Sequence, residues 1–209
     1  MANPNPEISN TQNEEIPWAP ITKEEIGRAL KAAKGTTAPG EDGLPTLIWK
    51  NTWKHISRIV VKIFTASVNL GYYPKKLKTA TIVVLRKPGK PDYSVPGVYR
   101  PISLLNTLGK LLEAVMARRL SYYAETHGLL LNTQFGGRPG RTTEQALLVL
   151  ANAIDQAWLK DKVVTLVAFD LKGAFNGVNK MTLDSRLKEK GIPTTARRWI
   201  QNFMDGVVW

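Results

Sequence analysis

The segment from Val163 to Val178, VVTLVAFDLKGAFNGV, constrains the fold more than any other part of the sequence. Its stretch from Val163 to Phe169 is almost entirely apolar and rich in Val and Thr, which predicts a strand covered on both faces rather than an amphipathic helix. The run ends at Asp170, and a turn of small residues follows. The pattern therefore predicts a buried strand that delivers one carboxylate to a site.

Asp170 has two interpretations from the residues alone. Its side-chain oxygen can cap the turn or helix that follows. Alternatively it binds Mg²⁺, because hard divalent cations take oxygen ligands and a strand-end carboxylate beside an exposed backbone carbonyl suits both the metal and a triphosphate. A single acid does not decide between the two.

Four further blocks precede this segment in a fixed order. They are TTAPGEDGLP (36–45), LRKPGKPDY (85–93), YRPISLLNTLGKLLEAVMARRL (99–120) and QFGGRPGRTTEQAL (134–147). Together with FDLKGAFNGV, these blocks resemble the reverse transcriptases of LINE-type (non-LTR) retrotransposons, and the resemblance runs from about Ile21 to Trp209. It implies an α+β fold, namely a partial right-hand polymerase with fingers helices, a hairpin and the first palm strand.

The resemblance also implies an active site. Asp170 would be the catalytic carboxylate, and it would bind Mg²⁺ together with the backbone carbonyl of Leu171. Arg100 would contact the triphosphate of the incoming deoxynucleotide, with Lys87 as a second contact, because a guanidinium fork bonds two phosphate oxygens at once. Phe175 would pack under the sugar and exclude a 2′-hydroxyl. The alternatives are that Arg100 pairs with a carboxylate and that Phe175 is a core residue.

The glycine-rich block QFGGRPGRTT predicts a nucleic-acid contact. Its glycines expose backbone amides beside two arginines, an arrangement that can clamp a phosphate backbone. The resemblance suggests contact with the template strand or the nascent base pair through Gln134, Gly136, Arg138, Gly140 and Arg141. The alternative is a turn that simply precedes the next helix.

The charge of the chain agrees with a polyanionic partner. There are 29 Lys and Arg against 17 Asp and Glu, which gives a net charge of +12, and a basic balance of this size favours nucleic acid. The cations are densest between Lys75 and Lys90, where no acid intervenes. Such a run predicts salt-dependent binding to phosphates, unless it is an ordinary solvated surface.

Periodicity and capping signals predict the remaining elements. Thr22 and Glu25 form a capping box for a helix that ends near Gly35. Predicted next are a helix over Leu47–Leu70, a hairpin of Thr79–Leu85 with Val98–Leu104, a helix from Leu108 to Gly128, a helix capped by Thr142 and Gln145, and helices over Asn179–Lys190 and Thr195–Met204. The first of these helices is predicted to bury Ile48, Ile56, Ile59, Ile63, Phe64 and Val68. The helix capped by Thr142 is predicted to bury a stripe made of Leu147, Leu150, Ala151, Ile154 and Trp158. The hairpin is expected to bring Arg86, Lys87 and Arg100 together. The loop TTAPGEDGLP either approaches a ligand or another element, or is a plain turn.

We divide the chain into a flexible leader (1–20), a fingers region (21–160) and a partial palm region (161–209). The leader is rich in Asn, Pro and Glu and poor in apolar residues. No Asp-Asp pair occurs in the sequence, whereas polymerases of this type carry one on a hairpin after the first motif. We therefore expect the sequence to stop before that hairpin and the thumb, and the chain alone not to polymerise.

These observations lead to two expectations for function. The first is a fragment of an RNA-directed DNA polymerase of a non-LTR retrotransposon, whose partners are an RNA template, a DNA primer, dNTPs, Mg²⁺ and the missing palm and thumb of the parent polypeptide. The second is a catalytically dead, RNA-binding remnant of a decayed element. The sequence lacks Cys and any apolar run of membrane-span length, so we expect an intracellular protein of the nucleus or cytoplasm that is neither secreted nor membrane-bound.

Overall fold

The backbone follows the predicted order of helices and one hairpin. The computed structural model describes residues 14–171, 174 and 177–205. Its elements are α1 (Lys23–Ala32), α2 (Thr46–Asn69), α3 (Lys75–Lys78), β1 (Ala80–Arg86), a short 3-10 turn (Pro96–Val98), β2 (Tyr99–Leu105), α4 (Thr107–Thr126), α5 (Thr143–Trp158), α6 (Lys180–Glu189) and α7 (Thr194–Met204). No helix in these ranges is long and apolar enough to cross a membrane.

The described residues form two compact units. One contains the chain up to Val115 and again from residue 177 to residue 205, and the other runs from Met116 to Leu171 and includes Ala174. Helix α4 belongs to both, since its first half lies in the first unit and its second half in the second. These boundaries differ from the predicted division into fingers and palm near residue 160, which stays a prediction.

The first unit is built on helices packed around an aromatic cluster. Helix α1 packs against α2, and α7 packs against α2 and α6. The fully buried Tyr73 ring meets the rings of Trp199 and Phe203 edge to face, at centroid distances of 5.4 and 5.2 Å. The core of the first unit also includes the buried side chains of Ile26, Leu30, Val60, Phe64, Val68, Leu111, Leu112, Val115 and Ala196.

The capping signals in the sequence predicted the starts of α1 and α5 and the end of α4 correctly. Thr22 and Glu25 form the predicted capping box of α1, and Thr142 and Gln145 form that of α5. Gly128 has a φ of +60° just beyond the end of α4, as expected of a helix stop. The expected stop of α1 at Gly35 was wrong, because the helix ends at Ala32 and the chain is already extended at Ala33.

The buried side of α2 was only partly predicted. Phe64 and Val68 are buried as expected, whereas Ile48, Ile59 and Ile63 are exposed and Ile56 is only partly buried. Small polar residues, Ser57 and Ser67, occupy the buried face instead. Ser67 is satisfied there because its hydroxyl accepts from Trp199 Nε1 at 3.0 Å and donates to the Tyr72 carbonyl at 2.6 Å. Polar residues with such partners are tolerated in a core.

The hairpin forms in the predicted place, one residue later in each arm. Strands β1 and β2 pair antiparallel, from Ala80 opposite Leu105 to Arg86 opposite Tyr99. Both faces of the ribbon are open to solvent, since Ile82, Val84 and Leu85 are about half exposed. The hairpin therefore extends from the first unit with only its base anchored in the core.

The strand predicted over Val163–Phe169 is absent. The chain from Lys162 to Leu171 has no regular secondary structure, and Val163 and Phe169 are 95% and 89% exposed. A strand persists only when a neighbouring strand satisfies its backbone groups. Within residues 14–171, 174 and 177–205, the only strands are β1 and β2, and they pair with each other. The apolar pattern reflects a preference for strand structure, but no described strand pairs with this segment.

The predicted buried stripe of α5 was also wrong. Helix α5 buries none of its residues, and Leu147 and Trp158 are 60% and 64% exposed. Ala151 is exposed as well, while Leu150 and Ile154 are half-buried. Periodicity identifies the side of a helix that favours burial, but burial itself needs an element that covers it.

Residues 14 to 20 of the predicted leader are not a free linker. Glu15 accepts hydrogen bonds from the backbone amide and the hydroxyl of Thr194, the first residue of α7, which lowers the pKa of the Glu15 carboxyl. Ile16 is buried, and its amide donates to the Gly191 carbonyl at 2.8 Å. Low apolar content predicted a flexible segment, but Ile16 within it and Ile21 directly after it are buried and anchor the chain.

Candidate functional site

The hairpin carries the two predicted triphosphate contacts, Arg100 and Lys87. Arg100 lies on β2 opposite Leu85, and its exposed side chain makes no hydrogen bond or ion pair within residues 14–171, 174 and 177–205. Lys87 follows β1 directly, and its ammonium donates to the Gly97 carbonyl at 2.7 Å. Arg100 is therefore available to a ligand, whereas Lys87 is engaged in holding the hairpin loop.

The predicted cluster of three cations forms only in part. Arg86 pairs with Tyr99, so it faces the opposite side of the ribbon from its neighbours in register, Leu85 and Arg100. Its guanidinium lies over the ring of Tyr93, 5.2 Å from the centroid. Alternation along β1 puts Lys87 on the same side as Arg100. The hairpin thus brings the three cations to neighbouring positions, but Arg86 lies on the other face of the ribbon from Arg100 and Lys87.

Two tyrosines tie the loop of the hairpin together. The Tyr93 hydroxyl donates to the Lys87 carbonyl, and the Tyr99 hydroxyl donates to the Tyr93 carbonyl, both at 2.9 Å. The two rings pack edge to face at 6.3 Å. Asp92 caps the turn through Ser94, and these hydrogen bonds lower the pKa of the Asp92 carboxyl. The loop is thus internally bonded, and Arg100 is held at its edge.

The loop TTAPGEDGLP approaches another element, which is one of the two outcomes considered. Gly40 lies against the junction of β2 and α4, where an added Cβ would be 2.5 Å from Asn106 Oδ1 and 2.6 Å from the backbone of Leu105. Asn106 Oδ1 accepts from the Asp42 amide at 3.3 Å, and its Nδ2 donates to the Lys76 carbonyl at 3.2 Å. This contact anchors the base of the hairpin, and no pattern in the sequence indicates this role for Asn106.

In the second unit, the glycine-rich loop borders an open groove of about 460 Å³. Its walls are Phe135, Gly136, Gly137, Arg141 and the first residues of α5. The Arg141 guanidinium lies 5.2 Å from the centre of the Phe135 ring and donates to the Asn132 carbonyl at 2.7 Å. Gly136 and Gly137 are exposed, and Gly137 has a φ of +72°, a conformation that favours glycine.

Arg138 has a structural role in the same loop. Its guanidinium forms a two-point ion pair with Glu125 of α4, at 2.8 and 2.7 Å, and donates to the Leu131 carbonyl at 2.7 Å. Its side chain is only 6% exposed, and the Arg138 hydrogen bonds lower the pKa of the Glu125 carboxyl. Of the loop residues predicted to contact nucleic acid, Arg141, Gly136, Gly140 and Gln134 remain accessible, while Arg138 shapes the loop.

The predicted metal ligands lie on an open segment. Asp170 is exposed, and Leu171 is 76% exposed. The ranges 14–171, 174 and 177–205 contain no group of three or more acidic, His or Cys side chains placed to hold a metal ion. Phe175, the predicted sugar contact, lies outside the described residues. The structure thus exposes Asp170 and Arg100, which belong to different units.

The reverse transcriptase family model, described as an RNA-dependent DNA polymerase, matches residues 85–209, more than half of the chain. The chain therefore belongs to the reverse transcriptase family. Its relatives within that family are polymerases of LINE-type, non-LTR retrotransposons, which confirms the resemblance found in the sequence.

Three relatives illustrate this similarity. The chain is 34% identical over 174 residues to the "Probable RNA-directed DNA polymerase from transposon BS" of Drosophila melanogaster, covering 83% of the chain and 19% of that protein. It is 32% identical to the "RNA-directed DNA polymerase from mobile element jockey" of Drosophila funebris, covering 78% of the chain and 18% of that protein. It is 27% identical to the X-element polymerase of D. melanogaster, over 92% and 21% respectively. The chain spans about a fifth of the length of these relatives.

Proposed function

We propose that this chain forms part of a polymerase that adds deoxynucleotides to the 3′ end of a DNA primer on an RNA template. The observation that carries the proposal is the family match over residues 85–209, which includes both Arg100 and Asp170. The basic balance of +12 supports a nucleic-acid partner. We place the activity in the nucleus or cytoplasm, where RNA template and dNTPs occur together.

The residues present fit Mg²⁺ as part of its ligand shell. The Asp170 carboxylate and the Leu171 backbone carbonyl supply the hard oxygen donors that Mg²⁺ prefers, and the exposure of both residues makes them accessible. Water and triphosphate oxygens would supply the remaining ligands, as is usual for this metal. When bound, Mg²⁺ neutralises charge on the phosphates during their transfer.

We assign the triphosphate to Arg100, because its guanidinium is exposed and unengaged among the described residues. A planar fork suits two phosphate oxygens and keeps its charge at any relevant pH. Lys87 would act as a second contact after giving up its bond to Gly97. Phe175 would exclude a 2′-hydroxyl by collision. The loop around Arg141 would contact the template backbone beside the groove.

The proposal is tested by Mg²⁺-dependent binding of a fluorescent dNTP to the chain. Asp170→Asn should abolish the metal-dependent part of binding, and Arg100→Gln should weaken it about 10-fold or more, because hydrogen bonds to charged groups are worth ~1.5–3 kcal/mol. The matched control is Arg28→Gln, since Arg28 is also exposed on the first unit. Binding that is the same for Asp170→Asn as for the unaltered chain would contradict the proposal.

A non-catalytic RNA-binding module is the second candidate. The observation in its favour is that the Asp170 segment is exposed and unpaired while the basic balance of the chain is retained. Both candidates predict salt-sensitive RNA binding. Asp170→Asn separates them, because under this second candidate the unaltered chain has no metal-dependent nucleotide binding to lose and the variant binds RNA as before.

A further inference from the structure

Helix α2 carries cations and no acid. Between Thr46 and Asn69 there is no Asp or Glu, whereas Lys50, Lys54, Arg58 and Lys62 recur at every fourth residue. Residues four apart lie on the same side of a helix, one turn above the other, about 6 Å apart along the axis. The four cations therefore form one ridge, which rotates slowly around the helix from Lys50 to Lys62.

Three of these cations are unengaged. Lys50 donates to the Lys31 carbonyl at 3.1 Å, at the carboxyl end of α1, and so has a structural role. Lys54, Arg58 and Lys62 are exposed, and none makes a hydrogen bond or ion pair within residues 14–171, 174 and 177–205. We call these three residues the α2 ridge. It spans eight residues, or about 12 Å of helix.

The surroundings of the α2 ridge are polar. A turn of about 100° per residue puts Asn51, Thr65 and Asn69 on the same side of the helix, and none of the three is buried. No Trp, Tyr or Phe of α2 falls on this side, and exposed His55 lies at its edge. Amide and hydroxyl groups beside cations suit phosphate and sugar oxygens, whereas binding through the bases of a single strand uses aromatic platforms.

The like charges of the α2 ridge cost stability. Cations spaced four apart on a helix repel each other, and α2 has no acid to offset them. A polyanion relieves this repulsion. Each strand of a duplex presents one negative charge per ~3.4 Å of its axis, so a 12 Å row of cations lies beside about three to four phosphates of one strand.

We propose that the α2 ridge binds the phosphate backbone of a nucleic-acid duplex, such as the hybrid of an RNA template and its DNA copy. The choice of nucleic acid, rather than another polyanion, rests on the proposed function. The identification of the α2 ridge as an exposed cationic surface does not depend on that function. Recognition would be independent of sequence, since it uses charge and backbone contacts alone. The α2 ridge belongs to the first unit, whereas the predicted template loop belongs to the second.

A membrane surface fits the helix less well. An interfacial helix inserts a continuous apolar face into the lipid. The main apolar face of α2 is already used, because Val60, Phe64 and Val68 lie buried in the core. The exposed apolar residues of α2 do not form a continuous face: they are Leu47 and Ile48 in its first turn and Ile59 and Ile63 beside the ridge.

The test measures binding of a labelled 20-base-pair RNA–DNA hybrid to the full chain by fluorescence anisotropy at several salt concentrations. EDTA is present and dNTPs are left out, so that Asp170 and the triphosphate site play no part. The variant is Lys54→Gln with Arg58→Gln and Lys62→Gln. Each lost phosphate contact lowers the slope of log affinity against log salt by about 0.9, so the triple variant should lose roughly two to three units of slope. Its affinity should fall about 10-fold.

The matched control removes the same charge elsewhere on the first unit. Lys23→Gln with Lys188→Gln and Lys190→Gln neutralises three exposed lysines that do not form a ridge, and it should keep most of the slope. Lys54→Arg with Lys62→Arg retains the charges and should bind as the unaltered chain does. Since Gln and Lys have similar helix propensities, far-UV dichroism of all variants should be unchanged.

Three results would overturn the proposal. The first is an unchanged salt slope and affinity for the ridge variant. The second is an equal loss of slope and affinity for the control variant, because net charge alone would then explain the effect. The third is ridge-dependent binding to anionic vesicles that exceeds binding to the hybrid. Failure of the dNTP test with an intact effect here would contradict the triphosphate site and leave the α2 ridge standing.

Discussion

A buried hydrogen bond between Tyr73 and Glu113 makes a sharp prediction about stability. The Tyr73 ring is fully buried, and its hydroxyl donates to Glu113 Oε1 at 2.8 Å. Burial raises the pKa of the Glu113 carboxyl. The ionised carboxylate therefore depends on this one donor for part of its lost hydration.

Tyr73→Phe should lower the free energy of unfolding of the first unit by about 1–3 kcal/mol. The variant loses one hydrogen bond and leaves a largely buried acceptor without its donor, and the second effect is the larger. A loss of ~2 kcal/mol corresponds to a melting temperature lower by about 4–8 °C for a chain of this length. Urea unfolding at pH 7, followed by tryptophan emission, measures the change, because Trp199 packs on Tyr73.

The control is Tyr72→Phe, which removes a hydroxyl from a neighbouring ring that is 41% exposed and should change the free energy of unfolding by less than about 0.5 kcal/mol. Combining Tyr73→Phe with Glu113→Gln should recover part of the loss, because a neutral amide is cheaper to bury than a carboxylate. If Tyr73→Phe unfolds like Tyr72→Phe, or if the two changes at 73 and 113 simply add, the assigned interaction does not exist in solution.

The remaining predictions concern pH and two local contacts. Folding raises the pKa of Glu113, so the folded state holds this proton more tightly than the unfolded state does. The free energy of unfolding should therefore fall as pH rises from about 4.5 through the folded pKa. Glu113→Gln should flatten that part of the stability–pH profile, which urea titrations at successive pH values measure. Gly40→Ala should destabilise the hairpin base, seen as faster amide exchange in β2, while Gly97→Ala, with open space around its Cβ, should not. Glu125→Gln should loosen the loop around Arg138, seen as faster amide exchange there. Because the ion pair lowers the pKa of Glu125, its stabilisation is present above the ordinary carboxyl pKa and is lost as pH falls through the lowered pKa, and the variant should lack this pH dependence. Unchanged amide exchange in that loop would contradict the role of the ion pair.

Local signals in this sequence predicted local structure well. The capping pairs at Thr22 and Thr142 lie where sequence patterns put them, because each depends on two residues three positions apart. The arms of the hairpin, which one loop joins, lie one residue later than predicted. What could not be predicted depends on partners distant in sequence. Val163–Phe169 has the composition of a strand, but no strand pairs with it in the part of the chain that the structure describes. Helix α5 has an apolar stripe that no described element buries.

The candidate site shows the same division. The order of the blocks identified the family, but the residues alone gave no sign that Arg138 is held by Glu125 or that Arg86 turns away from Arg100. The α2 ridge was missed for a related reason. Its cations are separated from one another by three other residues in the linear sequence and become neighbours only on the helix. The run from Lys75 to Lys90 is denser in the sequence, although Lys78 and Lys87 of that run donate to carbonyl groups within the fold.

The bond between Glu15 and Thr194 has a consequence for how the protein is made. It joins positions 179 residues apart, and Tyr73 meets Trp199 across a similarly long stretch of chain. During synthesis at ~5–20 residues per second, α1, α2 and the hairpin leave the ribosome many seconds before α7 is available to close the core around Tyr73. In that interval Phe64 and Tyr73 lack part of their cover, so the nascent first unit should be a substrate for chaperones that bind exposed aromatic surface.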